Sequence, residues 1–167
     1  MTNVKASIGV ACSPLDAFEW VRRYFYDRNG FAPSSADIAL KVPVRELTVD
    51  RTVAISVATH QAAGAKRTFD ITWDPRGGPY PRFDGTLDFQ GDGNGGCTIV
   101  LEGSYEPPLS FAGRAFDVAL GRRIAGASIN AFLHMLKHAI DERQHAKLLA
   151  SHDFDPDRFN APHDVGR

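Results

Sequence analysis

The sequence predicts an α+β domain: a curved antiparallel sheet of six to seven strands and one long C-terminal helix. Three observations carry that expectation. Apolar residues alternate with a period of 2 through most of the stretch from Ile38 to Tyr105. The links between these runs are short and built of turn residues, which favours an antiparallel meander. After Pro107-Pro108 the apolar period changes to 3.6.

The first strand is expected from Val4 to Cys12, where Val4, Ala6, Ile8, Val10 and Cys12 share one face. Ser13-Pro14 then supplies an N-cap and a proline suited to a first helical turn. A helix from Pro14 to Tyr26 follows, with Pro14, Phe18, Val21 and Phe25 on one face and Trp20 and Tyr24 beside them. Asn29-Gly30 ends it. Ile38, Leu40, Val42 and Val44 alternate next, and Pro43 points to an edge strand. Val53 to Thr59 is the following strand, then Phe69-Ile71-Trp73, then Phe83-Gly85-Leu87-Phe89, then Cys97-Ile99-Leu101-Gly103-Tyr105, taking every second residue. Ala63-Gly64, Arg76-Gly77-Gly78-Pro79 and Gly91 to Gly96 are the turns between them. The opposite faces carry Thr, Asp, Ser and Glu, so the sheet is covered on one side. The long helix is expected from Phe111 to Ala146, with Ala125, Ile129, Phe132, Leu133, Leu136 and Ile140 as its apolar stripe. Such a helix spans on the order of 50 Å, longer than a small sheet is wide, so an overhang or a kink at Gly121 or Gly126 is expected. Residues 1–147 then form one domain and residues 148–167 a polar tail.

Composition narrows the function. Nineteen Lys and Arg against twenty Asp and Glu leave a net charge of −1, without the basic excess of a nucleic-acid-binding domain. No run approaches the ~18–20 apolar residues of a membrane span. Met1-Thr2-Asn3-Val4-Lys5 does not open a secretory signal, so a cytoplasmic location with Cys12 and Cys97 as free thiols is expected.

Two constellations suggest chemistry at first sight. His134, His138, Asp141 and His145 fall within an arc of about 60° on a helix, the spacing of a metal stripe. The apolar stripe lies on the opposite side of the same helix, so this row is expected to face solvent and no metal site is assigned. Gly91 to Gly96 resembles a phosphate loop in composition only. It lacks the Gly-Lys-Ser/Thr ending and no helix follows, so a hairpin turn is expected. No Ser/His/Asp or Cys/His nucleophile set is legible, and no catalytic residue or cofactor is assigned.

The element order and the paired segments Phe83-Asp84-Gly85-Thr86-Leu87 and Leu101-Glu102-Gly103-Ser104-Tyr105-Glu106-Pro107-Pro108 resemble the START and pollen-allergen-like helix-grip superfamily (SRPBCC). The resemblance includes its polyketide cyclase/dehydratase and lipid-transport branch. Asp117 and Gly121 to Ala125 are similar to the opening of that family's last helix. The resemblance covers about Asn3 to Arg143. It implies a sheet curled around the C-terminal helix with a cavity between them, and first and last strands that pair and bring Cys12 near Cys97.

The ligand-lining residues expected on this basis are Phe69, Ile71, Trp73, Phe83, Leu87, Phe89, Ile99, Leu101, Tyr105, Ile129, Phe132 and Leu136. Gly85, Gly103 and Gly126 are small positions where the wall would stand back. His60 and Arg67 are added as polar groups near the rim, and Thr59 is in phase with the inner face. Alternation alone does not distinguish a filled core from a lined pocket. Three readings therefore stand: binding of a small, mostly apolar molecule, a cyclase/dehydratase-type enzyme, and a homodimeric or partner module with a filled core. The first is favoured, because catalysis needs an acid or base inside the pocket and no carboxylate or His is placed there.

Overall fold

The computed structural model describes residues 2–29, 36–44, 47–61, 67–75, 82–106 and 118–152. The elements in chain order are β1 (Thr2–Val10), α1 (Pro14–Asn29), β2 (Ala36–Val44), β3 (Leu47–Gln61), β4 (Arg67–Pro75), β5 (Arg82–Gly91), β6 (Cys97–Glu106) and α2 (Val118–His152). The six strands form one sheet in the order β1-β6-β5-β4-β3-β2, antiparallel throughout. β2, with Pro43, is an edge strand, where a missing backbone donor costs least.

The sheet curls. Among the described residues, the α2 backbone comes close to β1 and β2, the two opposite edges of the sheet, and much less to β3, β4 and β5 in its middle. A flat sheet cannot bring both edges to one helix. The core lies in the trough between them, with Phe69, Ile71, Trp73, Phe83, Leu87, Ile99 and Leu101 facing Ile129, Phe132, Leu133 and Leu136, all fully buried.

Local chemistry sets the element ends. The Ser13 hydroxyl accepts from the Asp16 backbone N–H at 3.1 Å and donates to the Asp16 carboxylate at 2.9 Å. That caps α1 and sets a negative charge in its first turn, where the helix dipole favours one. The β5–β6 link is the expected hairpin. Asp92 Oδ1 accepts from the backbone N–H of Asn94 at 2.8 Å and of Gly96 at 2.9 Å. Gly93 and Gly95 adopt φ of 81° and 88°, a left-handed backbone that side-chain-bearing residues rarely take.

Several boundaries differ from the sequence reading. α1, expected to end at Tyr26, runs three residues further to Asn29. β1 ends at Val10, so Cys12 lies beyond it in the turn before α1. β3 begins at Leu47 rather than Val53. Arg51 interrupts the apolar alternation there, but the full-length ladder with β2 holds the strand extended. α2 runs on to His152, past the expected end at Ala146 and across the boundary expected at residue 147. Its thirty-five residues span roughly 50 Å. The overhang is real: Leu148 and Leu149 are 56% and 59% exposed on its last turns. The expected helix start at Phe111 falls outside the described residues, as does the tail from residue 153.

Gly85 and Gly103 correct a further expectation. They sit directly opposite each other on β5 and β6, but they do not leave the wall standing back. The edge of the Phe83 ring occupies the room their missing side chains leave. A Cβ on Gly103 would also meet the Asp84 carbonyl and the Gly85 Cα, which are backbone atoms that cannot swing away. Gly103→Ala is therefore expected to cost about 1–3 kcal/mol, the usual range for overpacking. Gly9→Ala on β1, where a Cβ meets nothing within 4 Å, is expected to be neutral or mildly stabilising. Urea unfolding midpoints of the two variants check this, and equal midpoints would refute it.

Candidate functional site: the trough between sheet and helix

The strand register arranges the inner face in rows. Phe89 pairs with Ile99, which pairs with Ile8. Phe69 pairs with Leu87, then Leu101, then Ala6. Ile71 pairs with Gly85, then Gly103, then Val4. Trp73 pairs with Phe83, then Tyr105. The twelve apolar and aromatic residues expected to line the site thus come together, nine on the inner face of the sheet and Ile129, Phe132 and Leu136 opposite them on α2. All are buried except Phe89, which is partly so.

Ring contacts run through this surface without a break. Phe89 meets Phe18 edge-on at 5.7 Å, and Phe18 stacks on Phe69 at 4.7 Å. Phe25 lies 6.3 Å from both Phe69 and Phe132. Phe132 reaches Trp73 at 6.0 Å, and Trp73 stacks on Phe83 at 4.2 Å and 21°. Phe132 is the link between helix and sheet. Phe18 and Phe25 were legible as the apolar face of α1 but not as part of the trough. A helical period shows which residues share a face and does not show what that face covers. Ser128, fully buried on α2, was also not singled out, although it lies four residues before Phe132 on the same stripe.

The trough has two unlike ends. α1 covers the end containing Phe69 and Phe89 through Phe18 and Phe25. The other end holds the Trp73–Phe83–Tyr105 row. Polar atoms enter the interior there: the Trp73 indole nitrogen and the Tyr105 hydroxyl oxygen are both shielded from solvent. Trp73 is 1% exposed.

The side chains of Thr59, His60 and Arg67 lie outside the described residues. Their backbone register is defined. Thr59 is opposite Phe69, whereas His60 is opposite Thr68, out of phase with the inner row. Arg67 is in phase with Phe69 and sits at the β3–β4 end, opposite Gln61.

The remaining constellations fall elsewhere. His134, His138 and His145 are exposed on the outer face of α2. His138 approaches Glu142 at 3.3 Å and Asp141 accepts from Lys137. An open cleft of about 500 Å³ lies beside the β5–β6 hairpin, bordered by Val10, Asp92, Gly96, Cys97 and Lys137 among others. The Asn94 and Gly96 N–H groups that could meet an anion there are already bonded to Asp92. The loop is a turn held by its own carboxylate.

Fold and site together define a helix-grip domain, a curled antiparallel sheet closed over a C-terminal helix. No protein-family model and no curated protein sequence matches the chain. Solved structures do. A START superfamily protein from Mycobacterium smegmatis aligns with a TM-score of 0.56 at 12% identity, covering 84% of this chain and 97% of that one. A conserved protein from Geobacillus kaustophilus gives 0.56 at 11% identity, over 84% and 96% of the two chains. The Zhui aromatase/cyclase from Streptomyces sp. R1128 gives 0.52 at 14% identity, over 85% and 94%. The START-like fold expected from the strand motifs is therefore the fold of this chain.

Cys12 and Cys97 are buried free thiols. β1 and β6 pair antiparallel, as the resemblance implied, with Cys97 opposite Val10. Burial pushes the Cys12 pKa up to about 11, helped by Cys97, Asp16 and Asp141, while Lys137 pulls slightly the other way. Cys97 is also raised, chiefly by burial. A thiol with a pKa of about 11 is only about one part in a thousand thiolate at pH 8, against roughly a tenth at the ordinary value of 9.0. Iodoacetamide at pH 8 should therefore alkylate Cys12 about a hundredfold more slowly in the native protein than in urea. The folded pKa is the higher one, so this contribution to stability is whole below pH 9 and drains as pH rises toward about 11. Cys12→Ser should remove that part of the alkaline loss. Native-state alkylation at the unfolded rate would refute the assignment.

Proposed function

We propose that this chain binds a small, mostly apolar molecule in the trough between the curled sheet and α2. The observation that carries the reading is the spacing of the layers. α2 approaches both edge strands closely and stands off from the middle of the sheet, and the residues facing each other there are large aromatic and branched side chains. A helix resting on the sheet edges leaves its central span to be filled by side chains or by something carried. The polar complement is small: Trp73 and Tyr105 at one end and, by register, Arg67 at the β3–β4 end. That is the usual composition of a site that gains its energy from apolar burial and its orientation from a few polar groups. Burying about 200 Å² of ligand surface contributes roughly 5 kcal/mol before association costs. The likeness to a START superfamily protein and to an aromatase/cyclase supports this reading at the level of the fold.

Native mass spectrometry of freshly purified protein tests it. A co-purified apolar molecule, released on mild activation and absent from a Phe132→Trp variant that fills the trough, is the expected result. A uniformly ligand-free mass, together with no uptake of an added hydrophobic probe such as 1-anilinonaphthalene-8-sulfonate by the native state, would count against it.

A further inference from the structure

Trp73 carries a polar atom that the rest of the core does not explain. Its side chain is 1% exposed, and its indole Nε1 is shielded from solvent with no hydrogen-bond partner among the described residues. A buried indole N–H usually finds an acceptor, and leaving one unsatisfied is costly. A phenylalanine would fill much of the same space without that cost. The indole is also held still. It stacks on Phe83 at 4.2 Å and 21° and meets Phe132 at 6.0 Å, so its ring plane is fixed from the sheet and from the helix.

We propose that Trp73 Nε1 donates a hydrogen bond to an oxygen of the bound molecule, so that the ligand class is a carbonyl-bearing apolar compound rather than a plain hydrocarbon. This rests on the reading of the trough as a ligand site and sharpens it. Indole is a donor only, so its partner must be an acceptor. The cationic residue that register puts in phase with the inner face, Arg67, lies at the β3–β4 end, six residues along the strand from Trp73. No cationic side chain among the described residues is buried beside the indole, so a neutral carbonyl fits this end better than a carboxylate. The place is consistent with orientation of a ligand end. Trp73 sits in the row away from α1, where the sheet's inner face changes from purely apolar to aromatic with polar tips.

Two isosteric probes test this: fluorene and 9-fluorenone, which differ by one carbonyl. The full chain has two tryptophans, so an ¹⁵N-labelled sample gives two indole signals, and Trp20→Phe assigns the one from Trp73. Fluorenone is expected to bind about tenfold more tightly than fluorene and to move the Trp73 indole proton downfield. Fluorene should bind without that downfield shift. Trp73→Phe should bring the two affinities together. Equal affinities in the unmodified protein, or a Trp73 indole proton unmoved by bound fluorenone, would overturn the donor role while leaving apolar binding intact. Failure of both probes to bind would overturn the underlying reading, and this inference with it. The indole signal is read in the unmodified side chain, so the test stands even if Trp73→Phe disturbs the core.

Discussion

Helix α2 touches β1 and β2, and these strands are the opposite edges of the same sheet. The contact is possible only if the sheet bends around the helix, and most of the architecture follows from it. Bending lifts the middle strands away from the helix axis. The side chains that bridge the gap must be long, and they are: Phe69, Trp73 and Phe83 from the sheet and Phe132 from the helix. Phe132 joins the layers, through Phe25 to α1 and through Trp73 to β4. An aliphatic residue at that position would lose the ring contacts in both directions, beyond the apolar area itself.

The same geometry explains the glycine pair. Where β5 and β6 run side by side, Gly85 and Gly103 face each other and let the Phe83 ring fold down over the backbone. The aromatic ring replaces two side chains that a tightly bent sheet has no room for. It also turns Phe83 into the platform on which Trp73 stacks. Two residues with no side chain, on β5 and β6, thereby set the plane of an indole on β4.

Much of this was legible from the residues. Period-2 alternation located all six strands, and in β1, β4, β5 and β6 it put the apolar set on the buried face, because these strands have one buried and one more exposed side. Pro43 marked its strand as an edge. The change of period after Pro107-Pro108 marked the helix. What escaped was set by tertiary contact. Leu47 to Thr52 is held in β3 by pairing with β2, against a pattern broken by Arg51. The last turn and a half of α2 has no apolar stripe to announce it. In the site, the apolar rows were legible because alternation is a local property, whereas His60 was assigned to the rim without a phase argument and the register sets it out of step with the inner row. The role of Phe18 and Phe25 was hidden because docking of α1 on the trough joins residues that are distant in sequence.

The two ends of the trough differ in what they ask of an occupant. At the Phe69 end, Phe18 and Phe25 supply faces and edges to neighbouring rings, and these ring contacts are satisfied by packing alone. At the Trp73 end, the ring stack is just as close, but it holds a donor that packing cannot satisfy. A core selected only for stability gains nothing from that atom, since an apolar ring of similar shape removes the unmet hydrogen bond. Its presence gives the trough a direction. In the proposed complex an apolar body would rest against the α1 end and an acceptor oxygen would meet Trp73, so one end of the molecule would be distinguished from the other.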